Sequence, residues 1–257
     1  MKLTVIIPVY NEASTVYELL ARVIAVPVAK EILIVDDGSD QATKDILRGV
    51  VAYENVSLFT HPQNRGKGAG IRTALDHATG DVVIIQDADL EYFPEDYMAL
   101  LDAYQTHNTQ AVYGVRDLSG RSPLMRYGNQ LLTLITNVLF GARLHDMETC
   151  YKLVDRQVMQ SLELTSRRFE IETEISAKLL LRRIHPVEVP IRYEHRDEGK
   201  KLTPLDGLPA LATLLKYRLG LPEETDIKPI ENAILATAAI TALTTFGLLL
   251  RRLFRRR

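Results

Sequence analysis

The sequence predicts an α/β fold built on a mostly parallel sheet, and two patterns carry that prediction. Short apolar runs of strand length alternate with stretches of helical spacing through the first half of the chain. The runs, such as "VIIPV" within "KLTVIIPV" and "VVII" within "DVVIIQ", are apolar on successive positions, as expected for strands covered by helices on both faces. The chain has 257 residues, 46% hydrophobic and 25% charged, which fits one large packed domain or a domain with an appendage.

The elements follow in order. Residues 2–9 form the first strand. Val16, Leu19, Leu20, Val23 and Ile24 recur at helical spacing in "EASTVYELLARVIA". "KEILIVDDGS" is a second buried strand ending in acids, "QATKDILRGVVAY" a helix and "NVSLFTHP" a third strand. "GAGIRTALDHATG" is a helix closed near Gly80, and "DVVIIQDAD" is the fourth strand. "PEDYMALLDAYQTH" is a helix with proline at its start, followed by the strand "QAVYGVRD". From Ser119 the pattern changes to a long helical segment, "PLMRYGNQLLTLITNVLFGARLHD". Then come "TCYKLV", the helix "FEIETEISAKLLLRR", the strand "HPVEVPIRYEHR" and the apolar helix "TPLDGLPALATLLKYRLGL". Residues 1–220 are expected to be one domain and 221–232 a polar linker. Residues 233–257 read as a hydrophobic helix with an arginine-rich tail.

Several classes are excluded by composition. A net charge of −2 argues against a whole-domain basic surface, and so against a nucleic-acid partner. The single cysteine, Cys150, allows no internal disulfide and no cysteine metal cluster; a small buried side chain is expected there. The N-terminal apolar run is broken by Pro8, too short for a signal peptide, and the expected location of this domain is the cytoplasm. None of the six histidines shows paired metal spacing, so surface or loop positions are expected for them. Tyr127 and Tyr151 are expected to pack, and Glu170, Glu172 and Glu174 to favour a helix start.

The acids at the strand ends carry the chemistry. Ligands of an open parallel sheet bind outside the carboxyl ends of its strands. There the sequence places Glu12, Asp36, Asp37, Asp87 and Asp89. Crowded carboxylates repel, and an oxygen-only set suits a hard cation, Mg²⁺ or Mn²⁺, shared with substrate phosphate. "NRGKGAG" offers Arg65, Lys67 and three glycines before a helix, a weaker hint of phosphate binding. It is neither a Walker A loop nor G-x-G-x-x-G.

The motifs "VIIPVYNE", "ILIVDDGSDQAT", "NRGKGAGIRTAL", "GDVVIIQDADLEYFPED", "YGVRD", "DMETCYK", "EVPIRYEHRDEGKK" and "DGLPALATLLKYR" come in a familiar order. Over roughly residues 1–220 the chain resembles family-2 glycosyltransferases of the GT-A fold. Within them it is most similar to the dolichyl-phosphate mannosyltransferase and polyprenyl-phosphate glycosyltransferase branch. The resemblance implies a Rossmann-like sheet flanked by helices. It also implies inverting transfer of a hexose from a GDP- or UDP-sugar to polyprenyl phosphate. Pro8, Tyr10, Glu12, Val35 and Asp37 would line the nucleoside pocket, and Lys67 and Asp87 would meet the diphosphate. Asp87, Asp89 and Glu91 would hold the metal, although the family often has glutamine at the position of Glu91. Arg116, Arg126 and Arg196, with Lys200 and Lys201, would grip the acceptor phosphate; "GKK" departs from the usual serine before the lysine. Asp89 and the three arginines would form the catalytic set.

A lipid acceptor requires a membrane. "LMRYGNQLLTLITNVLFGA" and "LPALATLLKYRLGL" suit helices lying in the interface, with core packing as the competing reading. The run from Ala233 to Leu250 is just long enough to span. Its threonines share one face, which suits pairing in a homo-oligomer or lying flat. The five arginines that follow prefer the cytoplasmic side, as does a nucleotide-sugar domain, and one span cannot place both there. Three other functions compete: the same fold with a soluble or saccharide acceptor, a phosphatase of the haloacid-dehalogenase type, and a non-catalytic membrane-anchored protein. Glu91 stands where the phosphatase wants Thr or Val, and intact acids at three strand ends argue against lost catalysis.

Overall fold

A computed structural model describes residues 1–50, 53–195 and 207–238. Its centre is a seven-stranded sheet in the order β3-β2-β1-β4-β6-β5-β7. The strands are β1 (Leu3–Val9), β2 (Lys30–Asp36), β3 (Val56–Thr60), β4 (Val82–Ile85), β5 (Ala111–Arg116), β6 (Lys152–Asp155) and β7 (Val187–Ile191). The helices are α1 (Val16–Ala25), α2 (Gln41–Val50), α3 (Lys67–Leu75), α4 (Tyr97–Thr106), α5 (Pro123–Phe140), α6 (Arg156–Ser161), α7 (Ile171–Leu181) and α8 (Gly207–Arg218). A short 3₁₀ turn, Pro94–Asp96, leads into α4.

The parallel register runs Leu3↔Lys30 to Val9↔Asp36 between β1 and β2, and Leu3↔Val82 to Ile6↔Ile85 between β1 and β4. The first two strand ends and the acids after β4 therefore lie side by side at one edge. The exception to the parallel sheet is β6, antiparallel to both β4 and β5. It enters from the carboxyl end, where Cys150 lies against the cavity described below, and so runs the other way. Burial of β1, β2 and β4 is nearly complete, which accounts for their continuous apolar sequences.

Four local expectations need correction. The long helical segment stops at Phe140 rather than continuing to Asp146, because Gly141 takes a left-handed φ of 66° and caps α5. Helix α6 is not apparent from periodicity. It is six residues long and depends on its cap, Asp155, which accepts from Gln157 N at 2.8 Å and Val158 N at 3.1 Å. The apolar helix α8 is largely core: Ala210, Ala212, Leu214 and Tyr217 are buried and α8 packs on α7 and α5. The stretch expected as a linker is tied down, since Lys216 Nζ donates to Glu223 O at 2.6 Å and Glu223 lies 3.0 Å from Lys178. Helix resumes at residues 228–238, beginning inside that stretch. No helix among the described residues is long and apolar enough to cross a membrane. The tail from residue 239, with its five arginines, lies outside the described residues.

Candidate functional site

The acidic segment after β4 is held from several sides. Gln86 is buried; its Oε1 accepts from Tyr97 and Tyr151, both at 2.6 Å, and its Nε2 donates to Asp87 O at 2.9 Å. Leu90, between Asp89 and Glu91, has a left-handed φ of 64°, a costly conformation for a branched side chain that is common at functional turns. An isolated bridge joins Tyr92 to Tyr193, and Glu194 N donates to Glu91 O at 2.9 Å. The carboxylates are thus fixed by buried neighbours rather than carried on a free loop.

These acids face a cavity of about 300 Å³ at the carboxyl ends of the strands. Burial first, then the charges of Asp87 and Glu91, push the Asp89 carboxyl up to about 7. Glu91 is engaged elsewhere: Tyr193 Oη donates to its Oε2 at 2.5 Å, and His195 Nδ1 lies 3.5 Å from its Oε1. Lys67 Nζ sits 2.6 Å from Asp87 and 2.9 Å from Glu172. Burial would lower the Lys67 pKa, but the charges of Asp87 and Glu172 overcome it and hold the ammonium well above the ordinary lysine range. Glu172 is shared with the fully buried Lys152 at 2.8 Å.

The glycines at the start of α3 have a packing reason that their sequence does not show. A Cβ on Gly66 would collide with Arg167 O, and one on Gly68 with Ser166 O. These glycines let the loop approach the Ser166–Arg168 backbone, and Ala69 N donates to Arg167 O at 3.1 Å. Gly66 also has a φ of 95°, which disfavours any side chain. The loop's amides at Arg65 and Gly66 donate to Asp37 at 2.9 and 2.7 Å. His61 Nδ1 pairs with the same carboxylate at 2.6 Å, so Asp37 orders the loop at the cavity wall. His61 is therefore buried, not a surface histidine.

Arg116 is a strut as much as a ligand-binding group. Its Nε and Nη2 form a fork on Asp146 at 2.7 and 2.8 Å, and Nη2 also donates to Asn129 Oδ1 at 3.2 Å. Burial opposes the Arg116 charge, but Asp146 keeps the guanidinium well above its ordinary value. Arg121, over the Tyr193 ring at 5.6 Å, and Arg168 also wall the cavity.

Most residues expected in the site converge. Pro8, Tyr10, Glu12, Asp37, Lys67, Asp87, Asp89, Glu91 and Arg116 all line the one cavity. Val35 does not line it: the side chain is wholly buried and packs under Gly70 of α3. Arg126 is absent from the wall, which takes its neighbour Met125 instead; the Arg126 guanidinium lies 5.3 Å from the Tyr127 ring. Arg196, Lys200 and Lys201 lie outside the described residues. The sequence reading passed over Glu148, Arg121 and Arg168 and assigned Glu172 to a helix start. Its available signal was the spacing of Glu172, Glu174 and Lys178 in an otherwise apolar helix, where buried charges must pair. Tyr151 packs as expected, but Tyr127 is 59% exposed.

The donor set fits a hard divalent cation in one specific way. Asp87 and Asp89 are neighbouring carboxylates, and burial together with the charges of Asp87 and Glu91 disfavours a second negative charge on Asp89 unless a cation offsets it. Among the described residues, no group of three His, Cys, Asp or Glu side chains is arranged to hold a metal. A two-carboxylate site that completes its shell with phosphate oxygens and water, as Mg²⁺ sites commonly do, matches this arrangement.

Residues 4–162 match the family described as Glycosyl transferase family 2. The chain belongs to that family, and its sheet and site define a GT-A glycosyltransferase domain. Among its relatives is the undecaprenyl-phosphate 4-deoxy-4-formamido-L-arabinose transferase of Pseudomonas fluorescens. It is 30% identical over 210 residues, or 79% of this chain and 60% of the relative. Glycosyltransferase AglJ of Haloferax volcanii is 28% identical over 200 residues, 76% of this chain and 64% of that protein. The chain thus spans less than two thirds of the length of these relatives. In structure it is similar to glucosyl-3-phosphoglycerate synthase of Mycobacterium tuberculosis in complex with UDP. The TM-score is 0.64 at 20% identity, over 87% of this chain and 82% of that one. The same synthase with Mn²⁺, UDP-glucose and phosphoglyceric acid gives a TM-score of 0.64 at 19% identity, over 87% and 81%. At such identity the likeness establishes the shared fold.

Proposed function

We propose that this chain transfers a hexose from a nucleotide sugar, of the GDP-mannose or UDP-glucose type, to a polyprenyl phosphate at a membrane surface. One observation carries the acceptor assignment. Helix α5, which supplies Met125 to the cavity wall, exposes a row of apolar side chains: Leu124, Tyr127, Leu131, Leu134 and Val138. They recur at three- and four-residue spacing along one face, as in a helix that lies in a lipid interface. The relatives named for undecaprenyl phosphate support the same acceptor class.

In this reading Asp87 and Asp89 hold Mg²⁺ or Mn²⁺, which when bound would neutralise the diphosphate leaving group. Pro8, Tyr10 and Glu12 receive the nucleoside, with Asp37 ordering the loop beside it. Arg121 and Arg168 gather the two anionic substrates and orient them. Arg116 contributes its charge from a fixed position on Asp146. A lipid phosphomonoester has its second pKa near ~6, so it attacks as an anion without a strong general base. A single displacement inverts the anomeric centre. The domain works on the cytoplasmic side, where nucleotide sugars are available, with α5 against the bilayer.

A soluble acceptor is the second reading, because the structural neighbour is a complex with phosphoglyceric acid. Flotation on vesicles containing undecaprenyl phosphate separates the two. The protein should float, and Leu131→Glu with Leu134→Glu should release it while the thermal shift with nucleotide sugar and Mn²⁺ is retained. If the double variant floats as well as the parent, α5 is not the membrane face. Failure of every GDP- and UDP-sugar to shift the melting temperature would remove the donor assignment.

A further inference from the structure

Behind the acid pair, four charges of alternating sign form a chain: Asp87, Lys67, Glu172 and Lys152. Lys67 stands between two carboxylates, of which only Asp87 belongs to the proposed cation site. Glu172 is fixed from its far side, where Lys152 donates to Oε2 at 2.8 Å. Its near oxygen, Oε1, is buried and 2.9 Å from Lys67 Nζ, yet receives no aligned hydrogen bond. Glu172 therefore offers the ammonium a fixed acceptor with capacity to spare, and a buried acceptor left unsatisfied is costly.

We propose that Lys67 is a tethered counter-ion that occupies Asp87 until a divalent cation displaces it, and that Glu172 is the seat that receives it. The inference rests on the reading of Asp87 and Asp89 as cation ligands. Displacement asks only for rotation of the ammonium: the Asp87 contact is given up while that to Glu172 tightens. Lysine geometry allows this, since its ammonium is a compact charge with three rotatable donors on a flexible stem. Two consequences follow. The cation must compete with a resident positive charge, so its affinity for the protein alone is held down. The released ammonium stays at the cavity wall, where a diphosphate brings it a new partner. Loading of cation and diphosphate is thereby coupled through one side chain. Lys67 and Glu172 are positioning residues for the cation, in addition to any contact Lys67 makes with substrate.

Mn²⁺ alone, titrated into the purified full chain with free ion read by electron paramagnetic resonance, tests this without turnover. Lys67→Met should bind Mn²⁺ at least ~10-fold more tightly than the parent, because a charge in contact with the ligand is gone. Glu172→Gln should bind it more weakly, since the ammonium then loses its second carboxylate and keeps only Asp87 and a weak 3.6 Å contact to Cys150 Sγ. Arg121→Met removes a cavity cation whose guanidinium lies over Tyr193, and should change affinity by less than ~3-fold. A merely structural role for Lys67 and Glu172 would weaken binding in both variants. The proposal is overturned if Lys67→Met binds no more tightly, if Arg121→Met gains as much, or if Glu172→Gln binds more tightly than the parent. Lys67→Gln, also neutral, replaces the methionine variant if that chain does not fold. Asp89→Asn tests the underlying reading separately. Unchanged Mn²⁺ binding in Asp89→Asn rejects the cation site itself, whereas its loss without a gain in the Lys67 variants rejects only the counter-ion.

Discussion

Replacing Asp89 by asparagine removes one negative charge from a crowded cluster. In chelator, the variant should therefore gain stability over the parent as pH rises. Burial and the charges of Asp87 and Glu91 hold Asp89 at about 7, against ~3.9 for an ordinary aspartate. With a raised pKa, the folded protein keeps a proton that the unfolded chain has lost. The stabilisation is fully present below pH ~4 and is lost as pH rises through about 7. Some three pH units at ~1.36 kcal/mol each cap the effect at about 4 kcal/mol. The carboxylate is only partly buried and faces cavity water, so screening reduces this to about 2 kcal/mol. Urea unfolding of both proteins at pH 5 and pH 8 in EDTA is the assay. The advantage of the asparagine variant should widen by about 1–2 kcal/mol between the two. Saturating Mn²⁺ should reverse the order, adding about 2.7 kcal/mol to the parent at a hundredfold excess over Kd. An advantage that is constant or shrinking with pH would refute the reasoning about the cluster.

Glu174 shows the opposite sign. It is fully buried, and bonds from Lys178, Tyr217 and Ser166 overcome that burial and bring its pKa to about 2. Its stabilisation is present above ~4.3 and lost as pH falls towards about 2. Glu174→Gln should therefore flatten the acid limb of the stability curve and cost up to about 3 kcal/mol at pH 7, read by circular dichroism. Gly66→Ala should lower stability by more than ~2 kcal/mol in thermal or urea unfolding, through its φ of 95° and the collision with Arg167 O. Arg116→Ala should cost about 3–5 kcal/mol by stranding Asp146. Arg121→Ala should leave stability within ~1 kcal/mol while weakening acceptor use, so urea titration paired with kinetics separates strut from ligand.

The sheet was legible because β1, β2 and β4 are buried on both faces and so appear as unbroken apolar runs. Their terminal acids were legible because parallel strands put their carboxyl ends together. What the sequence concealed depends on contacts between distant segments. Asp37 and His61 meet across the sheet end, and nothing in "DDGS" or "FTHP" announces a 2.6 Å pair. The sequence "NRGKGAG" gives no sign that Gly66 and Gly68 are packed against Ser166 and Arg167. Glu172 looked like a helix-start acid because the buried partners Lys67 and Lys152 come from α3 and β6. The reversed direction of β6 left no trace in its residues, since a four-residue strand with three buried positions reads the same either way.

Transfer itself tests the central claim most directly. Purified full chain is incubated with labelled GDP-mannose or UDP-glucose, Mn²⁺ and undecaprenyl phosphate, and the label is partitioned between organic and aqueous phases. The account predicts label in the organic phase that needs Mn²⁺, is lost with Asp89→Asn, and has the anomeric configuration opposite to the donor. Label appearing only on an added water-soluble acceptor, or lipid product undiminished in Asp89→Asn, would contradict it.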